Sequence, residues 1–150
     1  MEQPFGYPRN RLRWYFRLPL VGGGIVLLGL LATAARLEPS SRGFGTHQQL
    51  GLAQCSMLSL TGGTMRCPSC GMTTSWSHMM RGQVLGALQS NVGGTLLAVA
   101  AMISGPWMLV SGLRGRWFLG CPHELLVAGI GVGIVMITVF DWVLRNFVLA

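Results

Sequence analysis

Three long apolar stretches dominate the pattern of hydrophobic and polar positions along the chain. They cover residues 18–35, 92–113 and 125–144. An α-helix rises 1.5 Å per residue, so each stretch comes close to the roughly 30 Å thickness of a bilayer's hydrocarbon core. Backbone polar groups must be paired within lipid, which favours helices over open strands. The pattern therefore predicts an all-α integral membrane protein, with residues 1–150 forming a single domain that has three transmembrane helices.

The connection between the first two spans, residues 36–91, has a mixed pattern. It begins with a stretch rich in Ser, Gly and Pro, which is typical of a loop. After Gly71, large apolar side chains recur on one helical face, at Met72, Trp76, Met79 and Met80. This piece is too short to cross a bilayer. It predicts a short amphipathic helix at the membrane interface, following a loop that contains cysteines.

Small residues recur at helical spacing in the second and third apolar stretches. In lipid, such residues let two helix backbones approach closely and pack by van der Waals contact. The alternative is that glycine is simply frequent, at 22 of 150 residues. The candidate packing residues are Gly94, Ala98, Ala101 and Gly105 in the second stretch, and Gly129 and Gly133 in the third.

One acidic residue lies within the third apolar stretch. Asp141 stands four residues before Arg145, so the two side chains share a helical face. We expect an ion pair near the helix end rather than an isolated functional carboxylate.

Composition supports a membrane protein and limits the other classes. Charged residues make up 10% of the chain, against roughly 25% in soluble domains. The net charge is +7, and all 11 basic residues are arginines. No long basic block is interleaved with aromatic residues, so a nucleic-acid partner is not expected. The expected partners are the lipid bilayer and other membrane protein subunits.

The placement of arginines predicts the orientation. Arginines are concentrated in residues 1–17 and in the short connection between the second and third spans. The positive-inside rule then places the Arg-rich N-terminal tail in the cytoplasm and residues 36–91 outside it. An alternative is that the first stretch is a secretory signal, cleaved after an A-x-A sequence at Ala32-Thr33-Ala34. We favour an uncleaved anchor.

The chain has four cysteines, and three of them lie in the connection between the first two spans: Cys55, Cys67 and Cys70. Cys121 falls on the opposite side of the membrane in this topology, so we expect it to act separately. The C-x-x-C spacing of Cys67 and Cys70 suits two ligands of one tetrahedral zinc, with Cys55 as a third. His78 would lie about 12 Å along a helix from Cys70, which is too far for a fourth ligand. His47 is left as an undetermined candidate.

Two further interpretations of the same cysteines stay open. A C-P-x-C sequence at a helix N-terminus could lower the pKa of Cys67 and support thiol–disulfide exchange, although no strands of a thioredoxin-type βαβ unit flank it. A disulfide between Cys55 and Cys67 would close a short loop and stabilise the fold by up to about 3 kcal/mol. Zinc is therefore an expected cofactor only under the first interpretation.

Residues 55–91 carry a linked set of short motifs. They comprise Cys55, Thr61-Gly62, Cys67-Pro68, Cys70-Gly71-Met72-Thr73, Arg81-Gly82 and Asn91. This arrangement resembles a bacterial membrane family catalogued as domain of unknown function 2752. The chain departs from the family pattern at Thr74, where arginine is usual, and at Val92, where proline is usual. The resemblance implies a small protein of the bacterial inner membrane with a cysteine-bearing element beside the membrane, and it implies no activity.

No set of residues resembles a catalytic triad, a phosphate loop or a pair of catalytic carboxylates, and the chain has only four acidic residues. We therefore expect no catalytic residues. The predicted function is a small non-catalytic membrane subunit or scaffold that packs into a larger assembly, with a juxtamembrane loop stabilised by a disulfide or by zinc. The alternative is a thiol-redox or metal-handling membrane protein that acts through Cys67 and Cys70.

Overall fold

The computed structural model describes residues 11–120 and 122–148. Every regular element in these ranges is helical, which confirms the predicted all-α class. Three helices are long and apolar enough to cross a membrane: α1 (Trp14–Arg36), α5 (Val92–Arg114) and α6 (Glu124–Val143). The connection between α1 and α5 contains a 3₁₀ helix (Thr46–Leu50) and the short helices α2 (Ser56–Leu60), α3 (Met72–Met80) and α4 (Val84–Ser90). A π-helical turn, Leu144–Val148, follows α6.

Helix α1 begins at Trp14, before the apolar stretch itself begins. The side chain of Arg17 explains the extension, because it donates hydrogen bonds to the carbonyl oxygens of Gly112 and Leu113 at the end of α5. These last carbonyls of a helix have no partner within the helix. Arg17 donates to both, in addition to the backbone N–H of Gly115 that bonds the Gly112 carbonyl, so a charged residue is accommodated within the first turns of α1.

Helices α1 and α5 pack against each other along much of their length through small residues. A Cβ atom added to Gly24 would lie 2.8 Å from the backbone nitrogen of Leu109 and 3.0 Å from the carbonyl oxygen of Gly105. Ala98 and Ala101 of α5 are buried, and Gly94 lies against α3. The small residues of α5 therefore contact neighbouring helices of the same chain.

Helix α6 packs on α5 and has no buried residue. The two helices meet where Gly93 faces Thr138, whose hydroxyl would overlap a Cβ at position 93. Gly129 and Gly133, in contrast, have no atom within 4 Å of an added Cβ. The predicted ion pair at the end of this helix is confirmed, with Arg145 Nε 3.0 Å from a carboxylate oxygen of Asp141.

The buried face of α3 is polar, which the apolar face at Met72 and Trp76 did not indicate. Its buried residues are Thr74, Ser75 and Ser77. Each hydroxyl is hydrogen-bonded. That of Thr74 pairs with the Thr46 hydroxyl, that of Ser75 donates to a carbonyl within α3, and that of Ser77 donates to the carbonyl of Leu37. Small side chains allow the close approach of α3 to its neighbours, and the hydrogen bonds remove the cost of burying hydroxyls.

Candidate metal centre

Two separate segments of the chain bring three thiols to one point. Cys55 directly precedes α2, while Cys67 and Cys70 flank the turn that leads into α3. The Sγ atom of Cys67 lies 3.1 Å from that of Cys55 and 2.9 Å from that of Cys70. All three sulfur atoms lie within 4.8 Å of one another, and all three are free thiols. The structure thus assembles Cys55, Cys67 and Cys70 around a common centre.

Asn91, the residue immediately before α5, holds the turn between Cys67 and Cys70. The side-chain amide of Asn91 donates hydrogen bonds of 3.0 Å to the carbonyl oxygens of Pro68 and Cys70. Its Oδ1 atom accepts a hydrogen bond from the backbone N–H of Gly94, which caps α5. One buried side chain therefore fixes both the start of a spanning helix and the turn that carries two thiols. The only sequence signal for this role was the place of Asn91 in the family pattern.

Residues at the end of the third span form hydrogen bonds with the backbone of Arg66, the residue before Cys67. Asn146 accepts a hydrogen bond of 3.0 Å from the backbone N–H of Arg66 and donates one of 3.2 Å to its carbonyl oxygen. The indole N–H of Trp142 donates to the same carbonyl at 2.5 Å. The Arg66 guanidinium also lies 4.6 Å from the centre of the Phe44 ring. Sequence reasoning missed these contacts, because they join residues that are far apart in the chain.

Gly71 is required where the thiol-bearing turn meets α3. Its φ of +90° belongs to the left-handed region that favours glycine. A Cβ atom at this position would lie 2.4 Å from the Ser90 carbonyl oxygen and 2.8 Å from the Gly43 carbonyl oxygen. Backbone from the end of α4 and from the loop before the 3₁₀ helix therefore packs directly on the turn.

Arg145 fixes the end of α4, which contacts this turn. Its guanidinium donates to the carbonyl oxygens of Leu88, Gln89 and Ser90 at distances of 3.2, 2.9 and 2.7 Å. Asp141 orients and neutralises the guanidinium from one turn earlier. The ion pair in the third span thus supports the site indirectly, by closing the C-terminus of a short helix.

The three thiols open into a cavity of about 330 Å³. Among the described residues that line it, none carries a carboxylate, the charged oxygen ligand common to Mg²⁺ and Ca²⁺ sites. Thiolates favour softer ions such as Zn²⁺ and Cu⁺. The lining residues are Phe44, Gly45, His47, Gln48, Gln54, Cys55, Leu58, Cys67, Ser69, Cys70, Gly71, Met72 and Thr73.

The thiols have different acidities. The backbone N–H of Leu58 in the first turn of α2, together with the Cys67 thiol, lowers the pKa of Cys55 to about 7. Burial, reinforced by the neighbouring Cys67 thiol, raises the pKa of Cys70 to about 12. A helix N-terminus stabilises a thiolate through its free N–H groups. This effect acts on Cys55, which is the N-cap residue of α2.

The other candidate ligands lie elsewhere. The Nδ1–H of His78 donates a 2.7 Å hydrogen bond to Oε1 of Gln83, and its ring lies against Gly86 of α4. Cys121 lies outside the described residues. The connection that contains it begins at Gly115, whose carbonyl accepts a hydrogen bond from Leu12 just before α1. This end of the helices is the one opposite to the three thiols.

Thr74, where the family pattern usually has arginine, is fully buried. Its hydroxyl lies 2.8 Å from that of Thr46 in the 3₁₀ helix. Thr46 also accepts a hydrogen bond from the backbone N–H of Ser40. In this chain the position therefore joins α3 to the loop instead of offering a charge to a ligand.

Comparison with known proteins agrees with the motifs in this region. Residues 55–105 match the family model described as Protein of unknown function (DUF2752). The match confirms the resemblance over that segment, which runs from Cys55 through the turn and Asn91 into α5. It covers about a third of the chain and includes all three converging thiols. Neither a curated protein nor a solved structure matches the chain.

Proposed function

We propose that this chain is a small, non-catalytic membrane subunit whose juxtamembrane loop is closed by a metal ion held by Cys55, Cys67 and Cys70. The observation that carries the proposal is the convergence of three sulfur atoms within 4.8 Å. Zn–S bonds of about 2.3 Å and tetrahedral angles would set the sulfur atoms about 3.8 Å apart. The thiols need to separate by only about 1 Å from their closest distances to reach that spacing. Zinc is the ion we expect.

A metal ion accounts for the cluster better than a disulfide does. A disulfide joins two sulfur atoms and would leave the third thiol against it without a bonding role. Cys67 lies at nearly equal distances from both neighbours, 3.1 and 2.9 Å. A metal ion uses all three as thiolates, and its positive charge offsets the cost of burying the Cys70 thiolate that forms when binding releases the proton.

The surroundings favour a structural role over a catalytic one. The turn is fixed by Asn91, Asn146 and Gly71, so its geometry is set by packing rather than by a mobile lid. Among the described residues of the cavity, none is a carboxylate that could act as a general base. A structural zinc site likewise supplies folding free energy and takes all its ligands from the protein.

The role as a subunit is supported by the third span. Helix α6 has no buried residue, and Gly129 and Gly133 have open space around them. Small residues on a spanning helix allow close approach of another helix. The test is crosslinking in native membranes. A Gly129→Leu variant should lose crosslinks to fixed partners while keeping the wild-type helix content, as measured by circular dichroism. Wild-type protein that crosslinks to nothing contradicts the subunit role.

A thiol-redox role is the second candidate, and the central position of Cys67 favours it. Its sulfur can form a disulfide with either neighbour, so a Cys67–Cys70 disulfide could be attacked by the Cys55 thiolate. That exchange would release the thiolate of Cys70 and would leave the number of disulfides unchanged. Net oxidation or reduction of a substrate would need a partner dithiol or disulfide.

The experiment that separates these candidates is metal analysis combined with thiol titration. The protein is purified in detergent without a histidine tag and without added reductant, its free thiols are titrated, and its bound metal is measured by mass spectrometry. We expect one zinc per chain, loss of zinc in Cys55→Ser, Cys67→Ser and Cys70→Ser, and full zinc in the matched control Cys121→Ser. Absence of metal together with one disulfide per chain that equilibrates with glutathione would overturn the metal site in favour of redox exchange.

A further inference from the structure

The three thiols leave one position of a tetrahedral site to be filled. Structural zinc sites are almost always four-coordinate, with Cys and His as the usual ligands. Among the described residues that line the cavity, His47 is the one with an imidazole. The other polar side chains there are amides and hydroxyls, which are poorer zinc ligands than imidazole.

His47 is presented to the cavity by a well-anchored element. It lies on the 3₁₀ helix, which is bounded by Gly45 and Gly51 with φ of +88° and +76°. The preceding residue, Thr46, is fully buried and bonded through its hydroxyl to Thr74 of α3. The backbone of His47 is therefore held at the cavity wall by a contact with the helix that follows the thiols.

The hydrogen bonding of His47 defines its tautomer. Its Nε2 atom lies 3.1 Å from the carbonyl oxygen of Ala53. A carbonyl only accepts, so Nε2 carries the proton and Nδ1 has the free lone pair. No hydrogen bond to Nδ1 is formed within the part of the chain that the structure describes. Histidines that bind metals commonly donate their other ring N–H to a backbone carbonyl in this way.

We infer that His47 is the fourth ligand, bound through Nδ1, and that the loop holds zinc in a Cys₃His site with Cys55, Cys67 and Cys70. This inference rests on the proposed metal site. The imidazole is not among the donor atoms that lie within 4.8 Å of one another, so the ring moves toward the sulfur atoms when zinc binds. Ala53 lies two residues before Cys55, so its carbonyl can follow the ring as that segment adjusts.

The site would join three parts of the extramembrane region. His47 belongs to the 3₁₀ helix, Cys55 to the start of α2, and Cys67 and Cys70 to the turn before α3. Bound zinc would therefore close the cavity from the loop side. It would tie His47 and Cys55 to the turn that Asn91 and Asn146 already hold. The expected gain is a rigid loop above the membrane surface.

The test compares His47→Ala, His47→Cys and the matched control His78→Ala as purified, full-length proteins in detergent. Zinc affinity is measured by competition with a chelator of known affinity. We expect His47→Ala to lower the affinity by more than the roughly 10–100-fold loss seen for outer-shell partners. His47→Cys should restore tight binding by completing a Cys₄ set. His78→Ala should bind like wild type, because His78 contacts Gln83 and Gly86 instead.

X-ray absorption on the wild-type protein with zinc gives an independent readout that does not depend on the folding of any variant. We expect three sulfur ligands at about 2.3 Å and one nitrogen at about 2.0 Å. Three sulfurs with a light-atom ligand that lacks the outer-shell scattering of an imidazole ring, or unchanged affinity in a folded His47→Ala variant, would overturn the role of His47 and leave the three-thiol site standing. Absence of zinc from the wild-type protein would overturn the metal site itself.

Discussion

Substitution of Asn91 tests how the thiol-bearing turn is held. Asn91 is 3% exposed, and its side chain makes three hydrogen bonds. Two of them reach the carbonyls of Pro68 and Cys70, and a typical hydrogen bond contributes a net 1 kcal/mol or so, giving about 2 kcal/mol for this pair. The third caps α5, and loss of such a cap costs about 1 kcal/mol. Asn91→Ala should therefore lower the free energy of unfolding by about 3 kcal/mol.

Asn91→Asp separates the two roles of this side chain. Aspartate keeps an oxygen for the backbone N–H of Gly94, so the cap of α5 is retained. It replaces the donating amide with an oxygen that faces the carbonyls of Pro68 and Cys70, and these groups then repel. We expect the turn to open while the start of α5 stays helical, so Cys70 should become accessible to thiol reagents.

The assay is reversible denaturant unfolding in detergent micelles, combined with the rate of thiol labelling by mass spectrometry. Gln89→Ala is the matched control, because that side chain is exposed nearby on α4, and it should change stability by less than about 0.5 kcal/mol. If Asn91→Asp unfolds at the wild-type denaturant concentration and labels no faster, the two carbonyl contacts do not hold the turn and the reasoning fails.

Two further predictions concern backbone fit and thiol acidity. Gly71→Ala should destabilise the protein by more than the roughly 1–3 kcal/mol cost of a strained backbone, because its Cβ also overlaps the Ser90 carbonyl. The control Gly62→Ala, at a φ of +60° with open space around it, should show the strain alone. Equal denaturation midpoints for the two variants would contradict the overlap. In metal-free protein, Cys55 should be alkylated with a pH midpoint near 7, since its thiolate forms as pH rises through a lowered pKa. Cys70, with its pKa raised to about 12, should stay unreactive at neutral pH. Peptide mapping after iodoacetamide treatment measures both rates, and faster labelling of Cys70 than of Cys55 would refute the assignment.

The class of fold was predictable because lipid imposes simple rules on sequence. A long apolar stretch must pair its backbone polar groups within lipid, and a helix does so within one segment. The three long helices of the structure occupy the predicted stretches. The ion pair of Asp141 and Arg145 was likewise predictable, since both residues lie on one helix at a fixed spacing. Local periodicity carries all of this information.

The support of the site was not predictable, because it depends on contacts between distant segments. Arg145 was expected to pair with Asp141, but its hydrogen bonds to the carbonyls at the end of α4 depend on how α6 docks. Asn146 and Trp142 reach Arg66 from the far end of the chain for the same reason. No periodic pattern encodes such docking, and a buried polar residue resembles an exposed one in sequence.

The convergence of the thiols is partly explained by hydrogen bonds that link one end of each of the three spans to the loop. The carbonyl of Leu37, just after α1, accepts a hydrogen bond from Ser77 of α3; Asn91 at the start of α5 holds the turn; and Asn146 after α6 holds Arg66. All three spans therefore contribute to the geometry of the thiol-bearing loop. Any ion that binds only the folded loop must then stabilise the packing of the spans through linkage, by about 2.7 kcal/mol at a free concentration 100 times its dissociation constant. On this argument, zinc added to metal-free protein should raise the denaturation midpoint of the membrane helices themselves, and Asn91→Ala should weaken that coupling as well as the loop.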